Sequence, residues 1–419
     1  MKILRVGIPV LITFAVLAHG AVEPWAQAIL EVGAGVLLVV WAALMLARQN
    51  QALRWSPLVV PVAGLFLLAL AQWVTGVSAY QYATKAETLR LAAELILLFL
   101  TTQAFRTPKE WTRLVWFLMS LAFAVSLFGI VQHYTWNGKI YWMRPVQHDQ
   151  QVFGPFVDRD DFAGFVELIF PLGVALLVLD GERRDRRLLV SVFTVFSAAA
   201  LAISGSRAGI LIATGEMLLL GMLVWLYGRR SQRWVLVGIT AAVVLFAGWL
   251  GVGQSLARFS GKTGTGPSLL DRFFMSRDTW HIFLDHPVLG TGMGTLEYVY
   301  PRYETHYIGL IVNHAHDDYV ELLSDGGAVG GLFGLAFLII LYRQGIRNLR
   351  RARTPLTRSL YAGGLVACTG ILVHELVDFN LHIPSNALIF LVIAYLITSL
   401  IPEPIANPRQ RTFPTYLPS

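Results

Sequence analysis

The chain has 419 residues, of which 55% are hydrophobic and 14% charged, with a mean hydropathy of +0.59. That length could hold two or three soluble domains, but an apolar excess of this size excludes them and implies a polytopic membrane protein. A single cysteine, Cys368, lies inside an apolar run, which leaves neither a disulfide framework nor a cysteine-based metal site.

A membrane-spanning helix needs about 20 apolar residues. Runs of that kind occur near 5–22, 28–47, 56–75, 87–104, 113–131, 161–179, 188–204, 208–226, 234–251, 326–342, 360–378 and 385–402, so about twelve transmembrane helices are expected. Lys2 and Arg5 give the first run the look of a signal peptide, but HGAVEPWAQA is a poor cleavage site and many spans follow, so it is read as the first helix. Lys and Arg should gather on the cytoplasmic side. With the amino terminus inside, 22 of the 33 basic residues fall on inside segments, ten on outside segments and Arg90 in a span. Both termini are therefore expected in the cytoplasm, and the net charge of +7 follows from orientation without a nucleic-acid partner.

The chain divides into five helices over 1–131, a first long outer loop over 132–160, four helices over 161–251, a large outer loop over 252–325, three helices over 326–402 and an inner tail over 403–419. Loops of this length are usually functional or disordered. The second contains RFFMSRDTWHIFLDH (272–286), which predicts an amphipathic helix laid on the membrane, and HPVLGTGMG, whose proline and glycines end it. The GTGMG cluster has no preceding strand and is not a dinucleotide fingerprint; it predicts a loop packed closely against something.

Candidate chemistry collects on the outer side. SGSRAG (204–209) is a tight turn with Arg207 at its tip, where a planar donor fork suits phosphate and snorkelling to the interface is the alternative. Arg277 sits on the amphipathic segment. NHAHDDYVELLSDGGAVGGLFG (313–334) runs from a polar loop into an apolar helix, bringing His314, His316, Asp317, Asp318, Glu321 and Asp325 to its mouth. The two histidines share a face only of an extended segment, which weakens the case for a helical metal pair. His316 beside a carboxylate suits a general base because imidazole titrates near neutral pH; the alternative is a loop histidine bonded to a backbone carbonyl. Arg90 and Glu94, four apart, can pair. His374, Glu375 and Asp378 lie at the outer end of the eleventh span with His382 following, and Glu167 and Glu216 are intramembrane carboxylates, either functional or interhelical hydrogen-bond partners.

FGPFVDRDDFAGFVELIFPL (153–172), SGSRAG, SRDTW with HPVLGTGMGT (276–295), NHAHDDYVELLSDGGAVG (313–330) and HELVDFNLHIPSNALIF (374–390) stand in the order found in the O-antigen ligase and polymerase superfamily, which this chain resembles. The resemblance implies an all-α integral membrane protein with a GT-C-like glycosyltransferase fold. It also implies an inverting, metal-independent transfer that needs no cofactor, from a glycan on undecaprenyl diphosphate at the periplasmic face of a bacterial inner membrane. His316, Arg207 and Arg277 would be catalytic. Arg90, His314, Asp317, Asp318, Arg159 and Asp378 would bind substrate. DRDDFAG replaces the family's NRNHFAG, which leaves open whether Asp160 and Asp161 bind acceptor or cap the sixth helix. A ligase would hand the glycan to lipid A core, and a polymerase would hand it to another lipid-linked glycan. A transporter or flippase is the competing class, but neither inverted repeats nor a broken helix is visible in the sequence.

Overall fold

The computed structural model describes residues 1–47, 52–146, 151–180, 184–228, 230, 232–234, 236–238, 240–241, 268–307, 309 and 311–402. Helices α1 (Lys2–Leu17), α2 (Pro24–Ala47), α3 (Val59–Thr75), α4 (Gln81–Ala104) and α5 (Pro108–Tyr134) come first. A small antiparallel hairpin, β1 (Lys139–Ile140) with β2 (Arg144–Pro145), follows. Then come α6 (Arg159–Ala175), extended by a π-helical turn through Asp180, α7 (Arg184–Ser204) and α8 (Arg207–Tyr227). The segment before α11 holds α9 (Leu269–Asp285) and the short α10 (Leu296–Val299), and α11 (Asp318–Arg351), α12 (Pro355–His374) and α13 (Pro384–Thr398) follow.

Among the described residues, seven helices are long and apolar enough to cross a membrane, and α3 and α13 are shorter apolar helices. The chain is thus a helical, multi-pass membrane protein. Eleven of the twelve predicted runs coincide with helices. The run at 234–251 lies mostly outside the described residues, as do 252–267 of the large loop and the tail 403–419.

Local sequence sets the helix ends. Thr107 and Glu110 form a reciprocal capping box before α5, Ser268 and Asp271 do the same before α9, and the Ser206 hydroxyl accepts from Gly209 N at the start of α8, each satisfying donors that a helix start leaves open. Asp158, not Asp160 or Asp161, caps α6, accepting from Asp160 N at 2.8 Å. The hydrophobic core centres on α6, whose span is buried along its whole length. Gly363 lets α12 approach closely, since a Cβ there would fall 2.8 Å from Leu172 Cα. Small residues at such crossings are the usual way membrane helices pack without a hydrophobic driving force.

One expectation is corrected: α11 is broken. Gly327 has φ 62 and ψ −164, a conformation open essentially to glycine alone. The predicted span beginning at 326 starts at this break, and Asp318–Gly326 form a separate helical segment in front of it. The freed backbone groups are satisfied by the loop after α9. Ala328 N donates to Pro287 O (2.8 Å), Val329 N to Val288 O (3.3 Å), Thr291 N to Ser324 O (2.9 Å) and Gly292 N to Asp325 O (3.0 Å). Buried Gln72 of α3 donates to Leu289 O (2.6 Å) and Asp325 O (2.9 Å) and accepts from Met293 N (3.0 Å). This is the close packing that the GTGMG glycines require: a Cβ on Gly290 would fall 2.3 Å from Asp325 C.

Candidate active site

The starts of α6, α8 and α11 meet the end of α12. Gly209 of α8 packs on Ala163 of α6, and Glu167, two turns into α6, accepts from His374 Nδ1 at 2.9 Å. The loop 311–317 enters this end and turns sharply at His316, which takes a left-handed φ of 51. Histidine is among the residues that tolerate this region best, yet it still costs on the order of 1 kcal/mol or more.

That turn delivers His316 Nδ1 to Asp378 Oδ1 at 3.1 Å, and the ring meets Phe379 edge-on at 4.9 Å. Asp378 is buried and is approached by three nitrogen-bearing side chains. Its Oδ2 lies 3.8 Å from Arg272 Nη1 and 3.7 Å from His374 Nε2. Burial alone would raise the Asp378 carboxyl, but the His316 hydrogen bond and the Arg272 charge outweigh it and hold the group well below the usual carboxylate range. An ionised Asp378 must accept, so His316 Nδ1 carries a proton, and in the neutral ring Nε2 keeps its lone pair. No protein group bonds Nε2 among the described residues. Arg272 is anchored twice more, on Asp160 Oδ2 at 3.4 Å and on Val377 O. Behind it, burial and the neighbouring Asp160 and Asp378 push Asp158 up to about 7.

His314, two residues before His316, takes different partners, with Nδ1 on Glu321 Oε1 at 2.9 Å and its ring stacked on Phe379 at 4.4 Å. His382 donates to Asp318 Oδ1 at 3.0 Å and lies 3.4 Å from Glu321 Oε1. Atoms of His314, Glu321 and His382 lie within 4.8 Å of one another, close enough to hold a metal ion. Hydrogen bonds satisfy the group without one, because Glu321 also accepts from Ala315 N at 2.8 Å. Burial and the adjacent Asp318 carboxylate raise Glu375 well above its ordinary value, as expected of two carboxyls sharing a proton.

The other predicted residues are placed as follows. Asp317 caps α11, accepting from Tyr319 N and Val320 N. Arg90 pairs with Glu94 at 2.9 Å, and with Glu87, and donates to Leu381 O, so its fork is already occupied by protein. Arg207 stands exposed at the first turn of α8. Arg277 is on the outer face of α9, 3.6 Å from Asp278 and bonded to Thr305 Oγ1 at 3.2 Å. Arg159 starts α6 with its Nε buried and unbonded among the described residues. No direct hydrogen bond or ion pair joins Arg207 or Arg277 to His316 among the described residues.

Sequence reading did not single out Arg272, yet Arg272 is the arginine at the His316–Asp378 pair. Helical spacing held the signal. Arg272, Met275, Thr279 and Ile282 fall on the inward face of α9, whereas Leu270, Phe273, Arg277, Trp280 and Leu284 fall on the exposed one.

Below this network a cavity of about 400 Å³ runs between α3, α4, α11 and α13. Its upper end is polar, with Arg90, Asp318, Glu321, Glu375 and His382, and its lower walls are apolar, with Leu65, Leu335, Phe337, Leu338 and Phe390.

Residues 192–335 match the family model described as O-antigen ligase. The matched stretch contains Arg207, Arg272, Arg277 and His316 and ends before Asp378. Over 263 residues the chain is 24% identical to the Teichuronic acid biosynthesis protein TuaE of Bacillus subtilis, covering 59% of this chain and 52% of that protein. The chain therefore spans about half the length of the curated relative it matches. The superfamily resemblance carried by the motifs is thus also met by a family model and by a relative named for teichuronic acid biosynthesis.

Proposed function

We propose that the protein is an O-antigen ligase-like inverting glycosyltransferase that moves a glycan from undecaprenyl diphosphate to an acceptor hydroxyl, of which lipid A core is the favoured example, at the periplasmic face of a bacterial inner membrane. The observation that carries this is His316. A buried, ionised Asp378 fixes its tautomer, and its Nε2 is left without a protein partner. That is the arrangement of a general base, with proton acceptor, orienting carboxylate and access in one place. Nε2 would take the acceptor hydroxyl proton as that oxygen attacks the anomeric carbon and the diphosphate leaves from the opposite face.

The charge developing on the diphosphate calls for fixed cations. Arg272 and Arg90 are engaged by carboxylates, so this role falls to the exposed arginines, Arg207 with its planar fork at the start of α8 and Arg277 on α9. The amphipathic cavity under the site suits a lipid whose head is polar and whose tail is not. The exposed apolar stripe of α9, with Phe273 61% and Leu270 60% exposed, suits a helix resting on the bilayer beside the entrance. A polymerase would use the same chemistry on a lipid-linked acceptor.

The test is reconstitution of the purified protein with undecaprenyl-diphosphate-linked glycan and EDTA, offering lipid A core in one reaction and donor alone in another. Glycosylated lipid A core identifies a ligase, and ladders from donor alone identify a polymerase. Loss of product in His316→Ala, with folding retained, is expected. Undiminished turnover in that variant would refute the base, and transport of the lipid without product would refute the enzyme reading.

A further inference from the structure

The end of the bundle opposite the histidine network holds a second cavity, of about 370 Å³, lined by Arg54, Arg106 and Arg347 together with Trp55, Trp111, Tyr395 and Ser399. Its walls are built by buried polar clamps. Gln103, 1% exposed, accepts from Arg54 N (3.3 Å) and donates to Arg54 O (2.7 Å), fixing the segment before α3 against the end of α4. Asn348 of α11 donates to Ile397 O and Ser399 O, which holds the end of α13 in place.

Among the described residues the three guanidiniums have no carboxylate partner and no acidic side chain lines the cavity. The carboxylate next to them, Glu110, is engaged by Arg5 at 2.5 Å and by Arg106 N and Thr107 N. Burial and the facing Arg54 and Arg5 charges depress the Arg106 guanidinium, with Tyr395 and Glu110 opposing them. Like charges collected in a concave site without counter-charge call for an anion. The rim says which kind: Leu53, Trp55 and Leu400 are 50%, 71% and 67% exposed, an apolar collar at the ends of spanning helices, where an acyl chain would lie.

We infer that this pocket binds the phosphate headgroup of an anionic membrane phospholipid. Arg54, Arg106 and Arg347 hold the phosphate, and Trp55 and Leu400 lie along the chains. The site is independent of the transferase reading, and basic pockets between spanning helices are a recurring headgroup site.

The test uses full-length, delipidated protein in neutral detergent, titrated with phosphatidylglycerol or phosphatidylcholine and read by native mass spectrometry, with inorganic phosphate as a third arm. Phosphatidylglycerol is expected to bind more tightly than phosphatidylcholine. Arg54→Gln, whose lost guanidinium carries no other bond among the described residues, is expected to weaken it about fivefold, the value of one interfacial arginine. Arg54→Gln/Arg347→Gln should weaken it roughly 25-fold on the same basis. Equal melting of the variants and the wild type in phosphatidylcholine nanodiscs shows that folding is unaffected. Arg350→Gln, outside the pocket, should change nothing; weakening equal to that of Arg54→Gln would overturn the inference in favour of diffuse surface charge. Binding of inorganic phosphate with no preference between the two lipids would overturn it in favour of a soluble ligand.

Discussion

Gly327→Ala is the sharpest test of the broken helix. A Cβ at this position would lie 2.3 Å from Val288 C and O and 2.6 Å from Leu289 N. These are backbone atoms that cannot rotate away, and the φ of 62 and ψ of −164 lie in a region costing non-glycine residues roughly 1–3 kcal/mol. Relief of the clash means moving the 287–292 loop, which loosens the four backbone hydrogen bonds it makes across the break, each worth about 1 kcal/mol. The sum is about 3–7 kcal/mol if half or more of those bonds are lost, a large part of a typical folding free energy. The assay is denaturant or thermal unfolding in one fixed detergent, alongside Gly215→Ala. Among the described residues no atom outside the helix's own backbone lies within 4 Å of a Cβ at Gly215 in α8, and alanine should there stabilise by roughly 0.5–1 kcal/mol. A Gly327→Ala protein as stable as wild type would show that α11 runs unbroken. The functional consequence is expected to match: Asp318 and Glu321 precede the break, so the proposed transferase activity should fall before unfolding is complete.

Three further outcomes are expected. Asp378→Asn leaves His316 without an anion to fix its tautomer, and turnover should drop by roughly 10²–10⁴-fold with the protein still inserted; unchanged turnover and pH profile would remove Asp378 from the mechanism. Arg272→Gln should impair turnover more than Arg277→Gln if the inner face of α9 supports the base, whereas Arg207→Lys should fail because a point charge does not reproduce a bidentate fork; a normal rate in Arg207→Lys would count against a phosphate clamp. For His382, burial opposes the charge, but Asp318 and Glu321 outweigh it and raise the imidazole to about 10, against about 6.5 unfolded. A raised value favours the protonated fold, so the contribution is complete below about 6.5, declines as pH rises through that window and is gone above about 10. Melting curves of wild type and His382→Gln, taken with EDTA, should converge at the alkaline end; a constant gap across that pH range would contradict the pairing.

Apolar run lengths were enough to place eleven of the helices, seven of them long and apolar enough to cross a membrane, because a bilayer demands about 20 apolar residues wherever the chain crosses. The ordered motifs were enough to find the family resemblance and to single out His316. The sequence by itself also held the glycines of GTGMG as a sign of close approach, though not what they approach. Tertiary structure alone decided the rest. The carboxylate that orients His316 is Asp378, 62 positions away, and spacing along a chain carries no signal for a contact made between the ends of two different elements. Spacing along the chain offered Arg90 a partner in Glu94, but not that the fold would fill its fork with Glu87 and Leu381 O as well. Arg272 turned inward and Arg277 outward because five residues along a helix point a side chain to a different face, and which face is inward is fixed by the packing of α9 on α11. The break at Gly327 was hidden for the same reason: GG within an apolar run permits a helix or a bend, and the loop carbonyls and amides that satisfy the freed backbone come from a segment some 35 residues earlier.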